Sequence, residues 1–194
     1  MSKVIVIGGG PAGMMAAYAA SCQGHQVTLL EQNEKLGKKL FITGKGRCNI
    51  TNASDMDHLF ANVMSNRKFL YSAFYTFDNE QVIAFFEEQG LHTKVERGNR
   101  VFPVSDQSSD VIGALGRALR AKHVEIMLHT KVEKLLVQDA CVYGVTLSGG
   151  KRIEANAVIV ATGGISYPST GATGDGYRMA LESGHHLVES TPSL

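Results

Sequence analysis

The chain of 194 residues has a formal net charge of +1, so its electrostatics argue against nucleic acid or an anionic membrane as the main partner. No apolar run approaches the ~18 residues of a membrane span, and the length suits one domain with a sizeable core. Cys22, Cys48 and Cys141 are odd in number and widely spaced, with no C-x-x-C pair. That fits a reducing cytoplasm and excludes a disulfide framework, a zinc ribbon or a dithiol redox centre.

Lys3 to Ile7 is an apolar, β-branched run bounded by glycine, which predicts a buried parallel strand. Gly8, Gly10 and Gly13 then give G-x-G-x-x-G. In that motif the first glycine allows the tight turn, the second lets a pyrophosphate approach the backbone, and the third lets the next helix pack closely on the strand. Pro11 suits the first helical turn, where an N–H would have no partner. The predicted helix, Ala12 to Gln23, turns its N-terminal N–H groups toward the phosphates and is stopped by Gly24. Gln26 to Leu30 is a second strand that delivers Glu31, a carboxylate able to accept from a ribose 2′-OH and to repel a 2′-phosphate. Strand, glycine turn, helix, strand and acid in this order predict dinucleotide binding. The break at Gly8-Gly9-Gly10-Pro11 rules out the continuous apolar helix of a secretory signal.

From Glu31 to Asn52 runs a long basic, glycine-rich connection, predicted as a loop beside the crevice where such sheets bind ligands. Two short helices, Phe69 to Phe77 and Asn79 to Gln89, are followed by a hairpin of His92 to Val95 and Arg100 to Val104, with Gly98-Asn99 as its turn. The aromatic residues here are expected in the core beneath an excursion from the main domain at about 66–104. Ser108 or Ser109 is expected to cap a helix from Asp110 to Lys122. Val124 to Leu128 gives a third strand and a doubly wound order of 3-2-1. Lys131 to Val137, Cys141 to Leu147 and Lys151 to Ala155 predict an antiparallel meander laid on that sheet. Ala157 to Ala161 returns as a buried parallel strand ending in Thr162-Gly163-Gly164, and Thr173-Gly174-Asp175-Gly176 opens a helix from Tyr177 to Glu182.

Other signals carry less. Cys48 lacks a partner cysteine and is assigned to packing. Asp55, Asp57 and His58 are read as a solvated loop, His185-His186 would face opposite ways on a strand, and Ser105-Asp106 lacks a nucleophile elbow, so no metal site is expected.

The motifs GGGPAGMMAA (Gly8 to Ala17), GKKLFITGKGRCNITN (Gly37 to Asn52), GNRVFP (Gly98 to Pro103) and ATGGISYPSTGATGDGY (Ala161 to Tyr177) together resemble the BaiN/RdsA-type flavoproteins. These are FAD-dependent oxidoreductases of the glutathione-reductase-like, two-dinucleotide-binding superfamily. Seventeen residues, Met14 to Leu30, separate Gly13 from Glu31, which matches the superfamily's FAD fingerprint. The resemblance covers nearly the whole chain and implies an α/β, Rossmann-like FAD-binding domain. It implies that Gly8, Gly10, Ala12 and Gly13 face the pyrophosphate and that Glu31, with Gln32, holds the adenosine ribose. Lys38, Lys39, Gly44, Arg47, Cys48 and Asn49 would line the ribityl and flavin side. Val132 would meet adenine through its main chain, and Ala161-Thr162-Gly163 would pass the cofactor again. The flavin would then carry hydride to or from a small organic substrate, with NAD(P)H as an electron donor.

Members of such families are about twice this length, so residues 1–194 are expected to be an N-terminal portion. Ser190 to Leu194 falls where a second domain would begin. The portion alone is expected to fold, to hold FAD below stoichiometry and to be inactive. Two alternatives are an NAD(P)-dependent dehydrogenase using the same Glu31, and a catalytically silent fragment that binds a nucleotide or a partner protein.

Overall fold

A computed structural model describes residues 1–190; the Thr191–Leu194 tail, part of the stretch where a second domain is expected to begin, lies outside the described residues. In chain order the first half contains β1 (Lys3–Ile7), α1 (Pro11–Cys22), β2 (Gln26–Leu30), α2 (Lys38–Ile42), β3 (Thr51–Asn52), α3 (Met56–Ala61), α4 (Tyr71–Thr76) and α5 (Asn79–Glu88). There follow β4 (Thr93–Glu96), β5 (Arg100–Pro103), α6 (Ser108–Ala121), β6 (Glu125–Met127), β7 (Val132–Gln138), β8 (Cys141–Leu147), β9 (Arg152–Glu154), β10 (Ala157–Val160) and α7 (Asp175–Glu182). The chain divides into two units, one formed by Met1–Lys39 with Leu119 onward, the other by Leu40–Ala118.

The first unit is Rossmann-like. Its four-stranded sheet runs β10-β1-β2-β6 with every pair parallel, so the expected 3-2-1 order is present and the returning strand extends it beyond β1. Burial on both faces explains why β1 reads as an unbroken apolar run rather than an alternating one. Ile5 and Ile7, with Leu30, pack against Val132, Val145, Leu147 and Ala155 and against Met179 of α7. The antiparallel meander β7-β8-β9 therefore lies on the main sheet, as its alternating sequence predicts. Val4 and Val6 point to the opposite face by the period of two, where α1 buries Met14 and Ala17. The register pairs Ile7 with both Leu30 and Val160, and Leu30 with Met127. The carboxyl ends of the strands are thus level, and the loops that leave them start from one edge.

In the second unit the predicted hairpin gains a short third strand, giving an antiparallel sheet of order β3-β5-β4. The supposed loop before it is partly structured: α2 is followed by a 3-10 turn at Thr43–Gly46 and then by β3. Asp78 and Gln81 close a reciprocal capping box at the start of α5. Asp55 accepts from the His58 N–H at 2.8 Å and caps α3, which gives it a structural role in a run first read as solvated loop. Ser108 does not cap α6 from outside. It is the first residue of the helix, and its hydroxyl donates to the Phe41 carbonyl at 2.7 Å. The aromatic residues divide between core and surface: Phe60, Phe85 and Phe86 are buried, but Phe69 is 84% and Tyr75 71% exposed. Tyr71 and Phe74 rest on the Phe60 ring at centroid distances of 4.6 and 5.2 Å, which leaves the outer members of this short aromatic helix in solvent.

Candidate dinucleotide-binding site

The three motif glycines meet different surroundings. Gly8 sits at φ +108°, and a Cβ there would lie 2.5 Å from the Ala161 carbonyl oxygen, so the turn out of β1 is both left-handed and in contact with the end of β10. A Cβ at Gly13 would lie 1.8 Å from the Gly8 carbonyl oxygen, the closest approach of α1 to the strand it follows. Gly10 is the opposite case: a Cβ there would meet nothing within 4 Å. Its backbone is ordinary extended (φ −76°, ψ 178°), so glycine is not required there for conformation. The empty space above Gly10 opens into a cavity.

That cavity, of about 300 Å³, lies at the carboxyl ends of the strands, where doubly wound sheets bind ligands. It brings together Gly8, Gly10, Ala12, Glu31, Gln32, Lys38, Lys39, Val132, Ala161, Thr162 and Gly163. Eleven of the sixteen residues chosen from the sequence, those just named, thus line one cavity. Gly13 lies behind it, buried against Gly8. The other four belong to the second unit.

Glu31, immediately after β2, is only 7% exposed. Its Oε2 accepts from the Gly9 N–H at 2.6 Å, and its Oε1 accepts from the backbone N–H and the side-chain amide of Asn33, both at 2.7 Å. A carboxylate has about four acceptor positions, and three are filled from within the chain. One remains on Oε2.

Side chains following β2 also hold the segment 165–172 that borders the cavity. Gln32 Nε2 donates to the Gly171 carbonyl at 2.9 Å and Asn33 Nδ2 to that of Thr170 at 3.1 Å. Lys39 Nζ reaches the Ser166 carbonyl at 2.9 Å and hydroxyl at 2.5 Å, and stands 5.7 Å from the centre of the Tyr167 ring.

Asn33, Thr130, Lys131, Thr170, Gly171, Asp175 and Met179 also line the cavity, and sequence reasoning gave none of them a site role. Asp175 had a signal, because it stands inside the recognised run that ends at Tyr177; Asn33 had none beyond its place two residues after Glu31. Burial raises the Asp175 carboxyl, but hydrogen bonds from the Thr173 hydroxyl at 2.7 Å and the Arg178 guanidinium at 3.2 Å outweigh it and hold the group below its ordinary range.

Gly44, Arg47, Cys48 and Asn49 cluster in the second unit around an unusual turn. Gly44 and Lys45 are consecutively left-handed at φ 56° and 57°, and Cys48 follows at φ 60°. Arg47 is bound to Glu96 and, at 2.8 Å, to Asp106, with its guanidinium 4.2 Å from the Phe102 ring centre. Lys94 adds a contact to Asp106 at 2.6 Å. Hydrogen bonds from Lys94 and Arg47 hold the Asp106 carboxyl below its usual range. The Asn49 amide, with its nitrogen turned toward them, donates to the Thr51 and Val101 carbonyls at 3.0 and 3.2 Å. Cys48 is 1% exposed, and burial pushes its thiol up despite a hydrogen bond with Thr43. Packing of Cys48 is what the sequence predicted. Among the described residues no helix is long and apolar enough to cross a membrane, and no group of three or more His, Cys, Asp or Glu could hold a metal ion.

The fold is shared with known proteins. Residues 2–192 match the family described as HI0933-like protein Rossmann domain. The chain is 36% identical over its full length to the 3-dehydro-bile acid delta(4,6)-reductase of Clostridium scindens, covering 47% of that protein. It is 29% identical to the ribosomal RNA dihydrouridine synthase of Haemophilus influenzae, again over its full length and covering 48% of that protein. The chain thus spans about half the length of the curated relatives it matches. Among solved structures, the open conformation of a flavocytochrome c3 fumarate reductase superposes with a TM-score of 0.67 and 24% identity, over 94% of this chain and 40% of that one. At that identity the likeness shows the fold alone.

Proposed function

The chain belongs to the HI0933-like Rossmann-domain family, and on that premise we propose that its first unit binds the adenosine-diphosphate half of FAD for an oxidoreductase acting on a small organic molecule. The observation that carries the proposal is the pairing of an open Gly10 with a Glu31 carboxylate that has one acceptor position left, both on the wall of one cavity.

The residues fit the group. Absence of a side chain at Gly10 leaves room for a pyrophosphate against the start of α1, whose N–H groups and dipole favour an anion there. Glu31 Oε2 receives a ribose hydroxyl, while Gly9 and Asn33 keep the carboxylate from turning away. The same negative charge disfavours a 2′-phosphate. Val132, at the start of β7, and Ala161 to Gly163 also line the cavity, and on this reading Val132 meets the adenine and Ala161 to Gly163 a second pass of the cofactor. Lys38 and Lys39 place two cations at the rim, where they offset phosphate charge.

When bound, FAD supplies the hydride chemistry; the residues of this unit bind, orient and limit the access of water. The reductase named among the relatives supports a reduction of an organic substrate; NAD(P)H as the electron source and a cytoplasmic setting are further parts of the proposal. Reconstitution tests the reading directly. Protein incubated with FAD and desalted, or titrated if the affinity is low, should acquire flavin absorbance and quench flavin fluorescence, and Gly10→Val should do neither. A Gly10→Val protein that takes up as much FAD as the wild type would overturn the assignment of the phosphate turn.

A further inference from the structure

Asn33 makes contacts that a residue merely near the site would not need. One hydrogen of its side-chain amide goes to Glu31 Oε1 at 2.7 Å, and the other to the Thr170 carbonyl at 3.1 Å. Its amide oxygen accepts from Lys38 Nζ at 3.4 Å, and Lys38 in turn pairs with Glu34 at 3.3 Å. Every polar atom of the side chain is thus used. One hydrogen bond fixes the carboxylate to which the ribose reading assigns a role, and another fixes the segment 165–172 that borders the same cavity.

That segment is built as a strap. It is attached to the β2 side by Gln32, Asn33 and Lys39, and its tip, Tyr167, is 63% exposed and left-handed at φ 56°. The amides of Asn33 and Gln32 seat tightly on it: a Cβ at Gly171 would lie 2.7 Å from Asn33 Nδ2 and 2.9 Å from Gln32 Nε2. Apart from these three side chains, its internal bonds are local ones, such as Thr170 N–H and hydroxyl to the Tyr167 carbonyl. Ala172 is buried and anchors the far end, but the stretch before it, held by a few polar contacts at a cavity edge, opens at low cost, because each such bond contributes only a modest net free energy.

We propose that Asn33 is a positioning residue that couples the ribose acceptor Glu31 to the 165–172 strap, so that seating the adenosine end of the cofactor and docking the strap favour each other. A ribose hydroxyl on Oε2 holds the carboxylate in place; Oε1 then holds the Asn33 amide in the orientation that also reaches Thr170. Coupling of this kind is reciprocal: a docked strap must raise cofactor affinity by the same factor that a bound cofactor favours docking. The inference rests on the FAD reading above and assigns it a mechanism of retention.

The substitution that separates coupling from mere support is Asn33→Asp. Aspartate is nearly the same shape but replaces the amide donor by a second carboxylate facing Glu31; Lys38, already paired with Glu34, stands beside it, and Lys39 and Lys131 line the same cavity. FAD affinity at neutral or higher pH should fall about tenfold to a hundredfold, the loss of a charge-assisted bond plus like-charge repulsion. As the pH is lowered the affinity should recover, because two close carboxyls share one proton and the shared proton restores a donor toward Glu31. Asn33→Ala should be weakened by about tenfold with no recovery at low pH.

A second readout follows the strap itself. Hydrogen–deuterium exchange of the backbone amides of Thr170 and Gly171, which bond within the strap, should be slowed by FAD in the wild type, and this protection should be lost in Asn33→Ala and reduced in Gln32→Ala, which leaves Glu31 untouched. Exchange in the stretch 67–76, which carries the exposed Phe69 and Tyr75, serves as the internal control. If FAD slows exchange at Thr170 and Gly171 equally in wild type and Asn33→Ala, or if Asn33→Asp shows no recovery on acidification, the coupling is refuted. If instead the wild type binds no FAD, it is the FAD reading that fails.

Discussion

Two glycines three residues apart should respond oppositely to the same added methyl group. At Gly13 a Cβ would stand 1.8 Å from the Gly8 carbonyl oxygen and 3.0 Å from its carbon, both backbone atoms that cannot rotate aside. To restore even a tight contact near 3.0 Å, α1 must move by more than 1 Å from β1, against the packing of Met14 and Ala17, which are fully buried. Overpacking of this kind costs about 1–3 kcal/mol, which for a chain of this size lowers the melting temperature by about 2–12 °C. At Gly10 the Cβ enters open space on a backbone conformation that any residue adopts, so Gly10→Ala should leave the stability of the cofactor-less protein within about 0.5 kcal/mol of wild type. Its effect should appear in FAD titration, since the methyl group occupies the path of the pyrophosphate. The assay pairs thermal unfolding by circular dichroism with flavin-fluorescence titration. Two results would refute the reasoning: Gly10→Ala as destabilising as Gly13→Ala, or Gly10→Ala binding FAD like the wild type.

Other outcomes follow from named contacts. Glu31→Ala should weaken FAD binding and also lower the melting temperature, because it strands the Gly9 N–H and the Asn33 donors, each at a cost of about 1–3 kcal/mol if left buried and unpaired; an unchanged melting curve would remove Glu31 from its structural role. Iodoacetamide at neutral pH should modify Cys22 and Cys141, which are exposed, well before Cys48, whose thiol is raised by burial; mass spectrometry of the intact native protein would reveal the order. Asp106 has a carboxyl held below its ordinary value by Lys94 and Arg47, so its contribution to stability is present above about pH 4 and is lost as the pH falls through the lowered value. Asp106→Asn should accordingly flatten the acid limb of a plot of urea midpoint against pH, and an unaltered limb would show that the pairing is too solvated to matter.

The first unit was legible because its signals are redundant. Val4 to Ile7 and Ala157 to Val160 read as strands by composition, and the Gly8, Gly10, Gly13 spacing fixed the turn and helix between them. The meander could be read from alternation alone, since its inward residues Val145 and Leu147 must face a sheet already in place. The stretch after Glu31 was less readable. Its lysines and glycines suggested an open loop, and left-handed backbone at Lys45 and Cys48 has no sequence signature, being imposed by contacts such as the Cys48 N–H to the Thr43 carbonyl at 3.1 Å. Arg47 carries a charge suited to a phosphate, but Glu96 and Asp106, distant in sequence, already engage it. Asn33 enters the site through a long-range contact, its amide to the Thr170 carbonyl, and not through a local pattern, whereas Asp175 stands inside a run that the sequence did mark.

The central claim is that the cavity at the carboxyl ends of β1, β2 and β10 holds the adenosine-diphosphate half of FAD. Displacement of protein-bound FAD, followed by the return of flavin fluorescence, tests it with competitors that divide the cofactor in two. ADP and ADP-ribose should displace FAD, and FMN, which lacks the adenosine half, should not. Displacement by FMN with no effect of ADP would place the cofactor's other end in this cavity and contradict the account.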